Sequence, residues 1–213
     1  SRPYALGASA MNRDQLILVR HGETVHNVAR IAQGWQDSEL SENGRRQVEL
    51  LAERIEAWRP DAIYSSPLGR AKSTADAIAR VTGLEVRTLE ELREMNYGNW
   101  EGQSFLDVRR ADREIYERWI ESGDEPCPGG ESHNDVRRRM EQALERIDAS
   151  RPVVVTHGTA IRIGATALLN LDVMASRHFA QDNAALNVFL WRADRWVLKL
   201  WNDTTHHDPR ADY

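Results

Sequence analysis

The sequence predicts an α/β protein: a three-layer α/β/α sandwich around a mostly parallel central sheet. Three observations predict it. Short, wholly apolar runs recur at Leu16-Ile17-Leu18-Val19, Ala62-Ile63-Tyr64 and Val153-Val154-Val155, as expected of strands covered on both faces. Segments with helical periodicity separate them, and repeated strand–helix units imply helices on both sides of a sheet. Two of the strands also end alike, one in Arg20-His21-Gly22 and the other in Thr156-His157-Gly158.

Taken in order, residues 1–14 read as a leader without period, with Met11 a candidate natural start. The first strand begins at Gln15. Ser41 starts a helix whose Val48, Leu51, Ala52 and Ile55 fall at i, i+3, i+4 and i+7, one face of a 3.6-residue period. Pro60 ends it. The strand at residues 62–64 follows, closed by Ser65-Ser66-Pro67. A helix with Ala71, Ala75, Ile78 and Ala79 on one face then runs from Gly69 to Gly83, and residues 84–89 form a third strand. Residues 93–131 carry Gly98, Trp100, Gly102, Trp119 and the turn Pro126-Cys127-Pro128-Gly129-Gly130. They predict a small helical cap inserted over one edge of the sheet, with short charged helices near 104–113 and 114–121. Ser132 caps a helix with the stripe Val136, Met140, Leu144 and Ile147. A buried strand at 152–156, a helix at 159–169 and a hairpin of strands at 186–191 and 196–201 about Ala193-Asp194 complete a single domain over 15–203. Residues 204–213 form a tail.

Composition narrows the function. The chain has 213 residues, 41% of them hydrophobic, enough for one domain with a buried core. No apolar run approaches the roughly 20 residues of a bilayer span, and no secretory leader is visible. The single Cys127 excludes an intrachain disulfide framework and fits a reducing, cytoplasmic compartment. Of 28 basic residues only Lys72 and Lys199 are lysine; the others are arginine, the fork that grips phosphate. A net charge of -5 argues against a broad nucleic-acid surface.

The echo between the two strand ends points to chemistry. In open α/β sheets ligands bind beyond the carboxyl ends of strands, so His21 and His157 belong at the ligand edge. Gly22 and Gly158 beside them allow backbone to approach a ligand. Arg20 adjoins His21, and Arg70 opens a helix after a strand, where unpaired N–H groups favour anions. Two arginines and two histidines about one point suit a dianionic phosphoryl group. The arginines neutralise it by bidentate bonds; a neutral histidine can attack phosphorus; a second can stabilise the equatorial oxygens. Spacing alone leaves open which histidine attacks.

Arg20-His21-Gly22-Glu23-Thr24 with Asn27, followed by Gln33-Gly34-Trp35, Ser65-Ser66-Pro67-Leu68-Gly69-Arg70, Leu92-Arg93-Glu94, Gly98-Asn99-Trp100-Glu101-Gly102, Gly130-Glu131-Ser132 and Thr156-His157-Gly158, resembles the histidine phosphatase superfamily, of phosphoglycerate mutase-like fold. The resemblance covers the chain from about Leu16 to Leu200. It implies His21 as nucleophile, forming a phosphohistidine, and Glu94 as general acid. It implies Arg20, Arg70, His157, Asn27, Gln33, Gly34, Gly158 and Thr159 in the phosphate pocket, with Arg93 and Arg162 near it. Glu23, Glu101 and Glu131, rivals for the acid, are expected to hold loops. The resemblance implies no metal and no cofactor, since arginines and histidines supply the positive charge. Glu94 is followed directly by Met95-Asn96-Tyr97-Gly98, without the longer segment typical of cofactor-dependent mutases. The chain therefore resembles the phosphatase branch, acting on small phosphomonoesters such as phosphoglycerates or sugar phosphates. Mutase activity and a silent phospho-ligand module are the alternatives. The expected partner is a small phosphomonoester, with no nucleic acid and no membrane, for a monomer or homodimer.

Among the remaining features, Trp35 and Trp100 could line the pocket or pack. Trp191, Trp196 and Trp201 read as structural. His26 and His178 are placed near the pocket mouth, and Asn183-Ala184 where the family has a small or polar pocket residue. His206-His207-Asp208 is a weak metal signal. Arg137-Arg138-Arg139 is expected to be solvated and paired with Glu141 and Glu145.

Overall fold

The computed structural model describes residues 13–208 and residue 210. One six-stranded sheet runs through it in the order β3-β2-β4-β1-β5-β6. The strands are β1 (Gln15–Arg20), β2 (Ala62–Ser65), β3 (Val86–Thr88), β4 (Pro152–Thr156), β5 (Leu186–Arg192) and β6 (Arg195–Asp203). β1 to β4 run parallel, β5 is antiparallel to β1, and β6, antiparallel to β5, runs in the direction of β1 again. The helices are α1 (Val25–Val28), α2 (Glu42–Glu56), α3 (Gly69–Thr82), α4 (Phe105–Ala111), α5 (Arg113–Glu121), α6 (His133–Arg146) and α7 (Gly158–Leu168).

The apolar strands still alternate. Ile17, Val19, Ile63, Val153 and Val155 face α2 and α3. Leu16, Leu18, Tyr64, Val154 and Phe189 face α6 and α7. Each strand therefore serves two cores, which is why no polar residue interrupts it. Ser41 caps α2 through a bond from the Gly44 N–H, and Gly83 closes α3 at φ 71°. Ser132 and Asp135 form a reciprocal capping box on α6. The third strand is only three residues long, because Leu84 and Glu85 lie outside the ladder.

Two expectations change. The segment 93–131 does more than cap one edge of the sheet, where Glu94, Tyr97 and Phe105 line the cavity described below. Its Met95, Tyr97, Trp100, Val108, Trp119 and Cys127 join the same core as α6 and α7, so it extends that layer towards the carboxyl end of β4. The cause is its aromatic content, which needs a core to pack in: Trp119 stacks on Phe105, 6.1 Å between ring centres and 9° from parallel. The leader also ends earlier. Residues 1–12 lie outside the described residues, but Arg13 is buried and donates to the Ile147 carbonyl at 2.9 Å. Asp14 pairs with Arg151. In the tail, residues 204–208 fold back, with Thr204 buried; residues 209 and 211–213 lie outside the described residues. No helix among the described residues is long and apolar enough to cross a membrane.

Gly44 on α2 lies against the loop that follows β1. A Cβ there would stand 2.0 Å from the Glu23 carbonyl oxygen. Gly44→Ala must therefore push α2 from that loop, and overpacking of this kind destabilises by about 1–3 kcal/mol. Urea unfolding checks it; a neutral substitution would show that α2 can shift freely.

Candidate active site

The carboxyl ends of β1 and β4 lie side by side, with Arg20 opposite Thr156 in register. The next residue on each strand is a histidine, and the rings of His21 and His157 stand 5.2 Å apart. Beside them opens a cavity of about 320 Å³, lined by Arg20, His21, Asn27, Gln33, Gly34, Arg70, Glu94, Gly158 and Thr159 among others. Every residue expected in the site lines this cavity except His157, which is fully buried behind it.

Each side chain is held from outside the cavity. The Nδ1 of His21 faces the Gly22 carbonyl at 2.8 Å. A carbonyl only accepts, so that nitrogen carries the proton and Nε2 keeps its lone pair. Burial, reinforced by Arg70 and Arg20, holds the His21 imidazole well below the usual histidine range. His157 is depressed by the same causes, and its Nε2 lies 2.8 Å from the Ser66 hydroxyl. Arg70, 2% exposed, donates to the carbonyls of Gln36 and Gly34, each at 2.7 Å, and pairs with Asp37. Arg20 donates to the Gln181 carbonyl. Both guanidiniums keep a buried Nε–H without a partner among the described residues.

The short helix α1 carries Asn27. Its Oδ1 accepts from the Thr24 N–H and from Asn183 Nδ2, which also donates to the His21 carbonyl. Gln33 Oε1 accepts from Ser38 and Thr24. Glu94 stands at the start of α7, where its two oxygens accept from the N–H groups of Thr159, Ala160 and Met95. A helix N-terminus is a natural seat for a carboxylate. Glu23, Glu101 and Glu131 bond to loop groups: Glu101 takes the N–H groups of Trp35, Gln36 and Tyr97, Glu23 takes Ser41 and Asn43, and Glu131 takes Asn96.

Several readings are corrected. Gly22 does not serve a ligand's approach; a Cβ there would meet Val48 at 2.6 Å and the Gly44 carbonyl at 2.8 Å. Gly158 does line the cavity, and it also makes room for the Arg20 guanidinium, whose Cζ would stand 3.3 Å from a Cβ there. Arg93 turns away from the cavity and lies over the Trp35 ring at 3.8 Å, whereas Arg162 lines the cavity and donates to Thr159 at 3.0 Å. Trp35 and Trp100 stay out of the lining; Trp35 donates to the Glu94 carbonyl and Trp100 is core. Neither His26 nor His178 lines it. The His206 and His207 rings face the Ala184 and Asn183 carbonyls, and no group of three metal-binding side chains occurs among the described residues. Arg139 turns inward instead of pairing as a solvated helix charge, because it lies one turn from Val136 on the edge of the buried stripe of α6. The sequence reading missed Tyr97, Phe105, Phe179 and Gln181 in the wall. Tyr97 adjoins the Leu-Arg-Glu motif and could have been flagged; Gln181 acts through its main chain, which leaves no signal.

Fold and site together define a phosphoryl-transfer class of α/β protein: a cavity at the sheet's carboxyl edge, lined by two arginines and a neutral histidine. The chain belongs to the histidine phosphatase superfamily (branch 1), whose pattern matches residues 16–204. It is 37% identical over 208 residues to a probable phosphoglycerate mutase, GpmB, of Yersinia pestis, covering 92% of this chain and 96% of that one. In structure it is similar to a mycobacterial glucosyl-3-phosphoglycerate phosphatase solved with VO3 (TM-score 0.81, 34% identity, 89% of this chain and 98% of that one). It is also similar to a phosphoserine phosphatase of Entamoeba histolytica in complex with 3-phosphoglyceric acid (TM-score 0.80, 32% identity, 91% and 98%).

The neutral histidines carry a consequence for stability. The unfolded chain binds protons at His21 and His157 below about pH 6.5, while the folded chain resists them. The unfolded state therefore takes up more protons as pH falls through that value, and their contribution to stability is lost on the acid side. Urea unfolding from about pH 7 to 5 should show falling stability, with a shallower slope in His21→Asn/His157→Asn. An unchanged slope would mean that the folded rings are charged.

Proposed function

We propose that the protein is a phosphatase of small phosphomonoesters that works through a phosphohistidine on His21, without a metal or cofactor. The observation that carries this reading is the pinned tautomer of His21, its lone pair on Nε2 in a cavity shared with the buried Arg70 and the half-buried Arg20. Nε2 attacks phosphorus, the bond to the leaving oxygen breaks, and the charge that grows on the imidazole is shared through Nδ1–H with the Gly22 carbonyl. Arg20 and Arg70 meet the charge on the equatorial oxygens, with His157 supporting the pocket from behind the His21 ring. A phosphoryl group beside Glu94 places two anions in contact, which hold a proton between them. That proton goes to the leaving oxygen. Water then attacks the phosphohistidine, Glu94 takes its proton, and inorganic phosphate departs with Nε2 free again.

Hydrolysis is favoured over transfer back to an alcohol by the cavity's access to solvent and by the phosphatases among the similar structures. The mutase reading has the Yersinia relative in its favour. Supplying 3-phosphoglycerate with a trace of 2,3-bisphosphoglycerate separates them. Free phosphate is the expected product; accumulation of 2-phosphoglycerate without phosphate would make the protein a mutase. A reducing cytoplasmic setting and a small-molecule partner are part of the same proposal.

His21→Ala should abolish hydrolysis of p-nitrophenyl phosphate while leaving the melting temperature near that of the parent; retained activity would remove His21 as nucleophile. Glu94→Gln should slow alkyl phosphomonoesters by about a hundredfold or more, the usual contribution of a general acid. It should slow p-nitrophenyl phosphate much less, because that leaving group needs no proton. Equal losses on both would give Glu94 another task.

A further inference from the structure

We infer that Arg139 is a positioning residue for the general acid, holding the segment that carries Glu94 at the mouth of α7. The inference rests on the reading of Glu94 above. It comes from a basic run, Arg137-Arg138-Arg139: Arg138 is exposed and pairs with Asp135 on its own helix, while Arg137 pairs with Glu141 and donates to the Leu171 carbonyl, away from the cavity. Arg139 does something else. Its Nη1 donates to the carbonyls of Glu91 at 2.9 Å and Arg93 at 2.6 Å, and its Nη2 to the carbonyl of Glu94 at 2.8 Å. Its Nε and Nη2 also form a two-pronged pair with Glu131, each bond 2.8 Å. A guanidinium has five N–H donors in a rigid fork, and all five are used here.

Three carbonyls within four residues thus converge on one cation. The stretch from Arg93 to Tyr97 forms no helix or strand, so it has no ladder of its own to fix it. Arg139 replaces that ladder, and Glu131 completes it by accepting the Asn96 N–H while its own N–H donates to the Asn96 carbonyl. Trp35 adds a second donor to the Glu94 carbonyl. The Glu94 main chain is therefore gripped on the side away from the cavity, and its carboxylate is gripped by the first N–H groups of α7. Arg139 does not itself line the cavity; its hydrogen bonds reach the site through Glu94, and beyond them its charge acts only at a distance, helping to keep His157 neutral.

Proton delivery depends on placement, and a displacement of about 1 Å can lower a rate by about a hundredfold. Lysine offers three donors from one atom in place of the fork, so Arg139→Lys keeps the charge and loses the geometry. The expected signature is that of an impaired acid. Turnover of an alkyl phosphomonoester such as glycerol 1-phosphate should fall by about ten- to a hundredfold, hydrolysis of p-nitrophenyl phosphate should fall by less than about threefold, and the inhibition constant of inorganic phosphate should stay near its parent value. In a Glu94→Gln background, Arg139→Lys should add no further loss, since the group it positions has gone. Glu131→Gln, which keeps the shape and removes the charged partner, should reproduce the signature, and it decides the matter if Arg139→Lys melts before it can be assayed. Equal losses on both substrates, a weakened hold on phosphate, or full additivity with Glu94→Gln would overturn the inference and make Arg139 a general structural residue. Failure of the parent protein to hydrolyse any phosphomonoester would instead overturn the proposed function.

Discussion

The parallel register of β1 against β4 places Arg20 beside Thr156, and everything at the site follows from that pairing. It sets two imidazoles at one edge with their rings 5.2 Å apart. It puts the first turn of α7, which begins right after His157, next to the loop that follows β1. A slip of one residue would turn His21 and His157 to opposite faces of the sheet. The alternation of Leu16 and Leu18 towards one core and Ile17 and Val19 towards the other fixes the register, because each strand would have to exchange its two buried faces to move. The chemistry is thus positioned by apolar packing and not by contacts among the catalytic candidates themselves.

Positive charge in such a place needs support. Two arginines that are taken out of water carry a large desolvation penalty, and each meets it differently. Arg70 is answered by Asp37 and two carbonyls. Arg20 has the Gln181 carbonyl and a buried Nε–H with no partner among the described residues. The histidines respond by remaining neutral. A site with this balance favours an anion over water, and it holds the attacking nitrogen deprotonated before the anion arrives. The same economy of charge explains Glu94, which takes the N–H groups at the start of α7 that a phosphate could otherwise claim.

Much of this was legible in the residues. The strand–helix alternation and the capping serines Ser41 and Ser132 marked the elements, and the repeated His-Gly placed both histidines at the ligand edge. What could not be read has a physical pattern. Residues that work through their main chain, such as Gln181 and Ala180 in the cavity wall, leave no trace in side-chain chemistry. Gly22 was assigned to a ligand but is required by the contact with Val48 and Gly44, a long-range approach that local sequence does not encode. The 93–131 segment was set at an edge because its short, charged helices look solvent-facing, yet Trp100 and Trp119 draw it into the main core. Arg139 resembled its two neighbours in composition and differs from them only by its angle on α6.

The strand order also has a bearing on how the chain assembles. β1 is the first strand to be made, and both of its neighbours, β4 and β5, come from beyond residue 150. The central ladder therefore cannot close until β4 and β5, more than 130 residues further along, have been made, and contacts of such long sequence separation slow folding. During synthesis the two histidine-bearing strand ends can meet only after residue 157 has been made. A nascent chain carries the unpaired apolar run Leu16–Val19 of β1 until then, the kind of exposed segment that chaperones hold.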